Sequence, residues 1–232
     1  MPARESTSVA TRRERGNGNK RSIAIAGNIG AGKSTLVEFL SRTYGIAPFY
    51  EPSEDNPYLP DFYRDMNRWA FHSQLYFLSH KFRIHQKLDR MPGVVVLDRT
   101  IFEDAEIFAT ALHDMGHIDE RDWQTYRGFY NAILEAIEPP DLMIYLRCST
   151  RTLRRRIRLR GRTMEQDLPL VYLKRLGRLY ESWIGNYSMS DKLVLETDRL
   201  DYIHDLVYRL DVMQRIEAVL PPEVVAGHAP PG

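Results

Sequence analysis

The chain has 232 residues, 43% of them hydrophobic, and a formal net charge of +1, which suits one domain of generous size better than two small ones. The near-zero charge excludes a global field for a polyanion, so any basic site must be local. The single cysteine, Cys148, excludes an intrachain disulfide and permits a reducing, cytoplasmic setting, and no apolar run reaches the ~20 residues of a membrane span.

Residues 1–20 lack the apolar stretch of a secretory signal and are expected to be a disordered tail, as are the Pro/Gly-rich residues 221–232. The expected folded unit is 21–220. It opens with a short apolar strand from Arg21 to Ala26, followed by Gly27-x-x-x-x-Gly32-Lys33-Ser34 and a helix starting near Ser34 and ending near Gly45. Ile46 to Tyr50 reads as the second strand, closed by Glu51 and Pro52. Asp55 to Tyr63 is a turn-rich passage. From Asn67 to Leu88 apolar and aromatic residues recur at helical spacing, and Met91-Pro92-Gly93 breaks that helix. Val94 to Leu97 is a buried strand ending in Asp98-Arg99-Thr100. A helix follows to about His113, and another runs from Asp119 to Ile137. Leu142 to Leu146 is a strand, Thr150 to Arg160 a very basic helix, and Pro169 to Tyr187 a further helix. Leu193 to Leu195 is the last strand and Asp201 to Val219 the last helix. Such alternation predicts an α/β fold with a parallel sheet covered on both faces. Ligands collect at the carboxyl ends of such strands, where Glu51, Asp98, Arg99 and the glycine loop should converge.

The glycine loop matches the phosphate-binding pattern. Its glycines let the backbone turn tightly and aim N–H groups inward, and the new helix points its positive end at the same place. Gly27, Asn28, Ile29, Gly30, Ala31, Gly32, Lys33, Ser34 and Thr35 therefore form a candidate triphosphate cradle. Lys33 can reach the β- and γ-phosphates, and Ser34 can offer its hydroxyl to Mg²⁺. Asp98 stands where such proteins place an acidic group near that ion. Arg99 beside it can hold a carboxylate or a phosphate. Glu51 is either a base for a hydroxyl attacking the γ-phosphate or an exposed loop residue. Thr150 to Arg162 holds arginines at 151, 154, 155, 156, 158, 160 and 162, too many for one helix face. Its end, around Gly161, reads as a mobile cationic flap. A nucleic-acid patch is the weaker reading, because aromatics are not interleaved there. Gln74, within the aromatic helix, can pair with an adenine-like edge through one donor and one acceptor, or be a surface residue.

Taken together, Gly27 to Thr35, Tyr50-Glu51-Pro52, Trp69 to Gln74, Asp98-Arg99-Thr100 and Arg156-Ile-x-x-Arg160-Gly-Arg162 resemble the deoxyribonucleoside kinases. The residues Glu51 to Pro57 and Tyr180-Glu-Ser-Trp183 look closest to the bacterial deoxyadenosine/deoxyguanosine kinase branch. The resemblance covers about residues 22–215. It implies a P-loop kinase fold with a five-stranded parallel sheet and an Arg-rich lid, using ATP and Mg²⁺. It implies that Glu51 takes the 5′-hydroxyl proton, that Arg99 holds both, and that Lys33 serves catalysis. Ser34 and Asp98 would serve Mg²⁺. Gln74 would pair with the base edge, Phe108 stack on its face, and Tyr63 meet the sugar 3′-hydroxyl. Arg156, Arg160 and Arg162 would form the lid, and Thr197 and Asp198 would lie by the ATP adenine. Lys81 and Asp104 match a basic–acidic pair carried by members that take purines or deoxycytidine, which points to purine deoxynucleosides. Asn56 and Pro57 stand where many animal members have a Trp, and Arg175 stands at the place matched to a Glu that binds the sugar. Thr100 replaces a common Ser.

The implied function is ATP-dependent phosphorylation of a purine deoxynucleoside, with deoxycytidine as a further candidate, in nucleotide salvage. Competing readings are a nucleoside monophosphate kinase, for which Arg64, Arg68 and Arg83 are candidate clamps, and a non-catalytic structural subunit of the same fold. The resemblance also implies a homodimer, pairing through the helices 67–88 and 119–137, with neither a nucleic-acid nor a membrane partner.

Overall fold

Ile23, Ala24, Ile25 and Ala26 are all buried, and they form the centre of the first strand, β1 (Lys20–Gly27). A strand covered on both faces reads as a continuous apolar run, which is the pattern here. Side chains alternate across it: Ala24 and Ala26 join one core cluster, Ile23 and Ile25 the other. The computed structural model describes residues 20–50, 55–88, 91–198, 206–220 and 222–226.

After β1 come α1 (Lys33–Tyr44), β2 (Ala47–Phe49), α2 (Leu59–Arg64), α3 (Met66–Leu88) and β3 (Gly93–Asp98). The chain then enters α4 (Ile101–Glu103), passes through a π-helical turn (Asp104–Ala109) and continues as α5 (Thr110–Asp114). There follow α6 (Glu120–Leu134), β4 (Leu142–Arg147), α7 (Thr150–Arg160), a 3₁₀ turn (Thr163–Glu165), α8 (Leu170–Asn186) and β5 (Asp191–Glu196). The last described elements are α9 (Leu206–Glu217) and α10 (Pro222–Ala226).

The sheet has five strands in the order β2-β3-β1-β4-β5, and every pairing is parallel. Ile25 pairs with Asp98, Gly27 with Leu146, and Arg147 with Glu196. The carboxyl ends of these strands thus share one edge, and the glycine loop starts there. One cluster packs under α8 and the π-helical turn through Ile107, Phe108, Tyr172, Leu176 and Tyr180. The other packs under α1 and α9 through Leu36, Val37, Leu40, Val212 and Ile216.

Several boundaries differ from the sequence expectation. The turn-rich passage contains α2, with a proline in its first turn, where the missing N–H needs no partner. β2 is shorter than Ile46 to Tyr50, and α6 stops at Leu134 rather than Ile137. The helix after Asp98 is interrupted by the π-helical turn, which periodicity does not reveal. Residues 222–226, assigned by composition to a disordered tail, form α10, because Val224 and Val225 pack on the second core cluster. Residues 1–19, the start proposed for the last helix (201–205) and residues 227–232 lie outside the described residues. No helix among the described residues is long and apolar enough to cross a membrane.

Candidate active site

A cleft of about 420 Å³ opens at the shared carboxyl edge of the sheet. Gly30, Lys33, Ser34, Asp98 and Arg99 line one end, and Gln74, Phe77, Asp104 and Phe108 line the other. The glycine loop holds its shape against two helices. Gly30 has φ 82°, a left-handed conformation, and a Cβ there would meet Ile157 of α7 at 2.9 Å and the Leu153 carbonyl at 3.1 Å. Glycine is therefore needed at this position on two counts. Asn28 braces the loop from the other side, donating from Nδ2 to the Leu173 carbonyl (3.1 Å) and accepting the Ile29 N–H (2.8 Å).

Lys33 is buried, and its Nζ donates to the Asn28 carbonyl at 3.2 Å, which folds the ammonium back over the loop. Ser34 donates its hydroxyl to Asp98 Oδ2 at 2.5 Å. Asp98 is buried, and its Oδ1 has no hydrogen-bond partner among the described residues. A hydroxyl beside an under-satisfied carboxylate is an oxygen donor set that fits Mg²⁺, which keeps waters and shares one or two protein oxygens with phosphates.

Arg99 follows β3 with φ 69°, the one positive φ at a non-glycine among the described residues. Its N–H extends the ladder to the Ile25 carbonyl (3.0 Å). Its guanidinium lies 4.1 Å over the ring of Phe108, and Nη2 donates to the Gly27 carbonyl at 3.2 Å. At the far end Gln74 is buried, and its Oε1 has no partner among the described residues. Lys81 Nζ donates a hydrogen bond to Asp104 Oδ1 at 2.8 Å and forms an ion pair with the same carboxylate. Asp104 lines the cleft while Lys81 stands behind it, so the carboxylate faces the cavity and the ammonium backs it.

Glu51 lies outside the described residues, but the residues flanking its segment, Tyr50 and Asp55, both line the cleft. Tyr63 lines it too. Of the three arginines expected to form a lid, Arg160 and Arg162 line the cleft and both pair with the buried carboxylate of Glu165. Arg156 turns elsewhere, donating to the carbonyls of Ala31 (3.1 Å) and Thr197 (2.5 Å), so it braces the loop against the end of β5. Asp198 accepts the Ser149 N–H at 2.9 Å and its hydroxyl at 2.8 Å. Burial would raise its carboxyl, but these bonds, with Thr152 and Cys148, hold it below the ordinary range. Arg64, Arg68 and Arg83 are not among the described residues lining the cleft.

Arg175, matched to a sugar-binding Glu, is paired with Asp114 and does not line the cleft among the described residues. A carboxylate does stand in the cleft, from Glu165, held by the 3₁₀ turn after α7. Sequence reasoning also missed Tyr172, on the cleft wall, and Glu103, buried beneath it. The acidic residue three positions after Arg162 is a signal that could have identified Glu165.

Comparison with known proteins agrees with this fold. The family profile described as deoxynucleoside kinase matches residues 23–221. A deoxyadenosine/deoxycytidine kinase of Bacillus subtilis (strain 168) is 34% identical over 200 residues, covering 85% of this chain and 92% of the relative. A deoxyguanosine kinase of Lactobacillus johnsonii is 37% identical over 207 residues, with 85% and 92% covered. The solved deoxyadenosine kinase of M. mycoides with bound dATP superposes with a TM-score of 0.75 at 32% identity, covering 85% of this chain and 99% of that one. With a parallel five-stranded sheet, a phosphate loop at its carboxyl edge and these relatives, the chain belongs to the deoxynucleoside kinases, phosphotransferases of nucleotide salvage.

Proposed function

We propose that this kinase transfers the γ-phosphoryl of ATP to the 5′-hydroxyl of purine deoxynucleosides, with deoxycytidine a weaker substrate. The observation that carries the reading is the polarity of the cleft: phosphate-binding groups at one end and a buried amide–carboxylate pair, Gln74 and Asp104, at the other. Gln74 offers a donor and an acceptor to a base edge. Asp104, charged and backed by Lys81, suits a purine's exocyclic amine or a protonated ring position and is left unsatisfied beside a thymine methyl. Tyr63 and Glu165 suit the sugar 3′-hydroxyl, a role in which Glu165 replaces the Glu sought at position 175.

Glu51 is the proposed base, Arg99 holds the hydroxyl against it, and Lys33 with the loop amides binds the β- and γ-phosphates. Ser34 and Asp98 would hold Mg²⁺, which neutralises phosphate charge when bound. Arg160 and Arg162 are the lid arginines that reach the migrating group, and Arg156 keeps the loop in place for them. One kinase domain over about 21–220, a homodimer and a cytoplasmic location complete the proposal. The relatives' activities on deoxyadenosine, deoxyguanosine and deoxycytidine support the substrate class. Phosphate transfer from labelled Mg-ATP to the four natural deoxynucleosides tests it. The expected order of kcat/KM is purines, then deoxycytidine, then thymidine, and a thymidine preference would overturn the base assignment.

A further inference from the structure

We propose that Glu103 is a positioning residue for phosphoryl transfer: its buried carboxylate locks the guanidinium of Arg99 to the first glycine of the phosphate loop. The proposal rests on the reading of Arg99 as the residue that holds the attacking hydroxyl.

Glu103 is fully buried, one helical turn beyond Arg99. A single oxygen, Oε1, gathers three donors from three parts of the chain. The Gly27 N–H reaches it at 3.1 Å and Arg99 Nε at 3.2 Å, and the Tyr180 hydroxyl of α8 closes the set. Gly27 completes the ring through its carbonyl, which accepts Arg99 Nη2 and lies 2.9 Å from the Tyr180 oxygen. A phenol has one proton, and a charge-assisted bond to a carboxylate is the stronger use of it. Tyr180 therefore donates to Glu103 and leaves the Gly27 carbonyl to Arg99. Burial, then the Glu103 charge, pushes the Tyr180 phenol well above its ordinary range, which keeps that proton in place.

The clamp acts where the chain is strained. A non-glycine residue in the left-handed region is disfavoured by roughly 1–2 kcal/mol and persists only where its surroundings hold it. Here the backbone of Arg99 leaves β3 in that conformation, and its side chain crosses the carboxyl end of β1 toward Gly27. Phe108 carries the guanidinium face and Glu103 its edge. Stability alone does not call for a carboxylate at this place, since apolar replacements of buried ion pairs are often neutral or stabilising. What the carboxylate does supply is a fixed bearing for a cation relative to the loop that grips the phosphates. The second oxygen, Oε2, has no hydrogen-bond partner among the described residues.

Steady-state kinetics with deoxyadenosine and Mg-ATP on wild type, E103Q, R99K and the double variant test this. Gln keeps the shape, removes the charge and places an N–H₂ where Oε2 finds no acceptor. A misplacement of about 1 Å can cost about 100-fold, so E103Q should lower kcat by roughly 10- to 100-fold. In the R99K background the same change should cost less than about threefold, because the group it positions is already altered. Equal losses in both backgrounds, or an unchanged kcat in E103Q, overturn the proposal. An unchanged kcat in R99K overturns the reading of Arg99 and the proposal with it. Should E103Q not fold, Tyr180→Phe removes only the phenol donor. Its kcat should fall by roughly 3- to 10-fold in the wild-type background and scarcely at all with R99K, and equal losses there also overturn the proposal.

Discussion

Gln74 presents an amide oxygen, without a partner among the described residues, to a cleft whose other end is built for phosphate. An amide that pairs two atoms of a base edge contributes about 1–3 kcal/mol of discrimination. Gln74→Ala should therefore lower kcat/KM for purine deoxynucleosides by about 10- to 100-fold while KM for ATP stays within about threefold. Equal loss on both substrates would place Gln74 in the scaffold. Glu51→Gln should behave in the opposite sense. Removing a general base lowers turnover by about 100- to 10,000-fold, and ATP affinity, measured by equilibrium binding, should hardly change. Spacing alone leaves both residues open, Glu51 as a strand-end carboxylate and Gln74 as one amide in an aromatic helix, and it is the resemblance to the family that proposes their roles; Gln74 does line the cleft, while Glu51 lies outside the described residues. Glu103 and Tyr180 are not legible in that way. They are 77 positions apart, and each gains its meaning from the other and from Gly27. Arg175, a departure from the family's sugar-binding Glu in the sequence, is paired with Asp114 in the fold.

At the scale of elements, α7 is fastened at its start and again past its middle. Ser149 caps it, accepting the Thr152 N–H, and Asp198 accepts from Ser149 in turn, tying the helix start to the end of β5. Arg156, further along, holds Thr197 and Ala31. The seven arginines of this region read in sequence as more charge than one helix face can carry, with a cationic flap at its end around Gly161. The fold shows that Arg156 serves as a brace and that Arg160 and Arg162 reach the cleft. Periodicity identifies the helix but cannot separate these uses, because the distinction depends on which carbonyls of other segments come near. Asp198→Asn should cost about 1 kcal/mol and lower the melting temperature by about 2–4 °C. The Asp198 carboxyl is held below its ordinary 3.8 in the folded state. Its contribution is therefore present above that value and is lost as pH falls through the lower folded value. Melting curves across the acid range should converge for wild type and variant at low pH and separate above it. A constant separation at every pH would show that the carboxylate charge has no part in the tie.

At the scale of the whole molecule, a parallel sheet with a site at its carboxyl edge follows from alternating apolar runs, whereas the strand order does not, and the proposed pairing of two copies is not written in any one element. α6 offers the relevant surface. It buries Tyr126 and Tyr130 against α3 and the π-helical turn, yet it exposes Phe129 by 53%, and beside it stands Gly128. Glycine within a helix is disfavoured by about 1 kcal/mol relative to alanine, and nothing lies within 4 Å of where a Gly128 Cβ would be. Within one copy, then, packing gives no reason for glycine there. A second copy approaching closely along α6 gives one, because a two-fold interface places the same helix against itself or its neighbour. Two outcomes separate these cases. If the chain is a homodimer across this face, Gly128→Leu should push the copies apart, and sedimentation should show the wild-type dimer replaced by monomer. If the face is solvated, the same substitution enters open space, improves helix propensity and raises the melting temperature with no change in sedimentation. The second result would end the homodimer proposal for this face. The first would explain both the exposed Phe129 and the glycine beside it by a single contact.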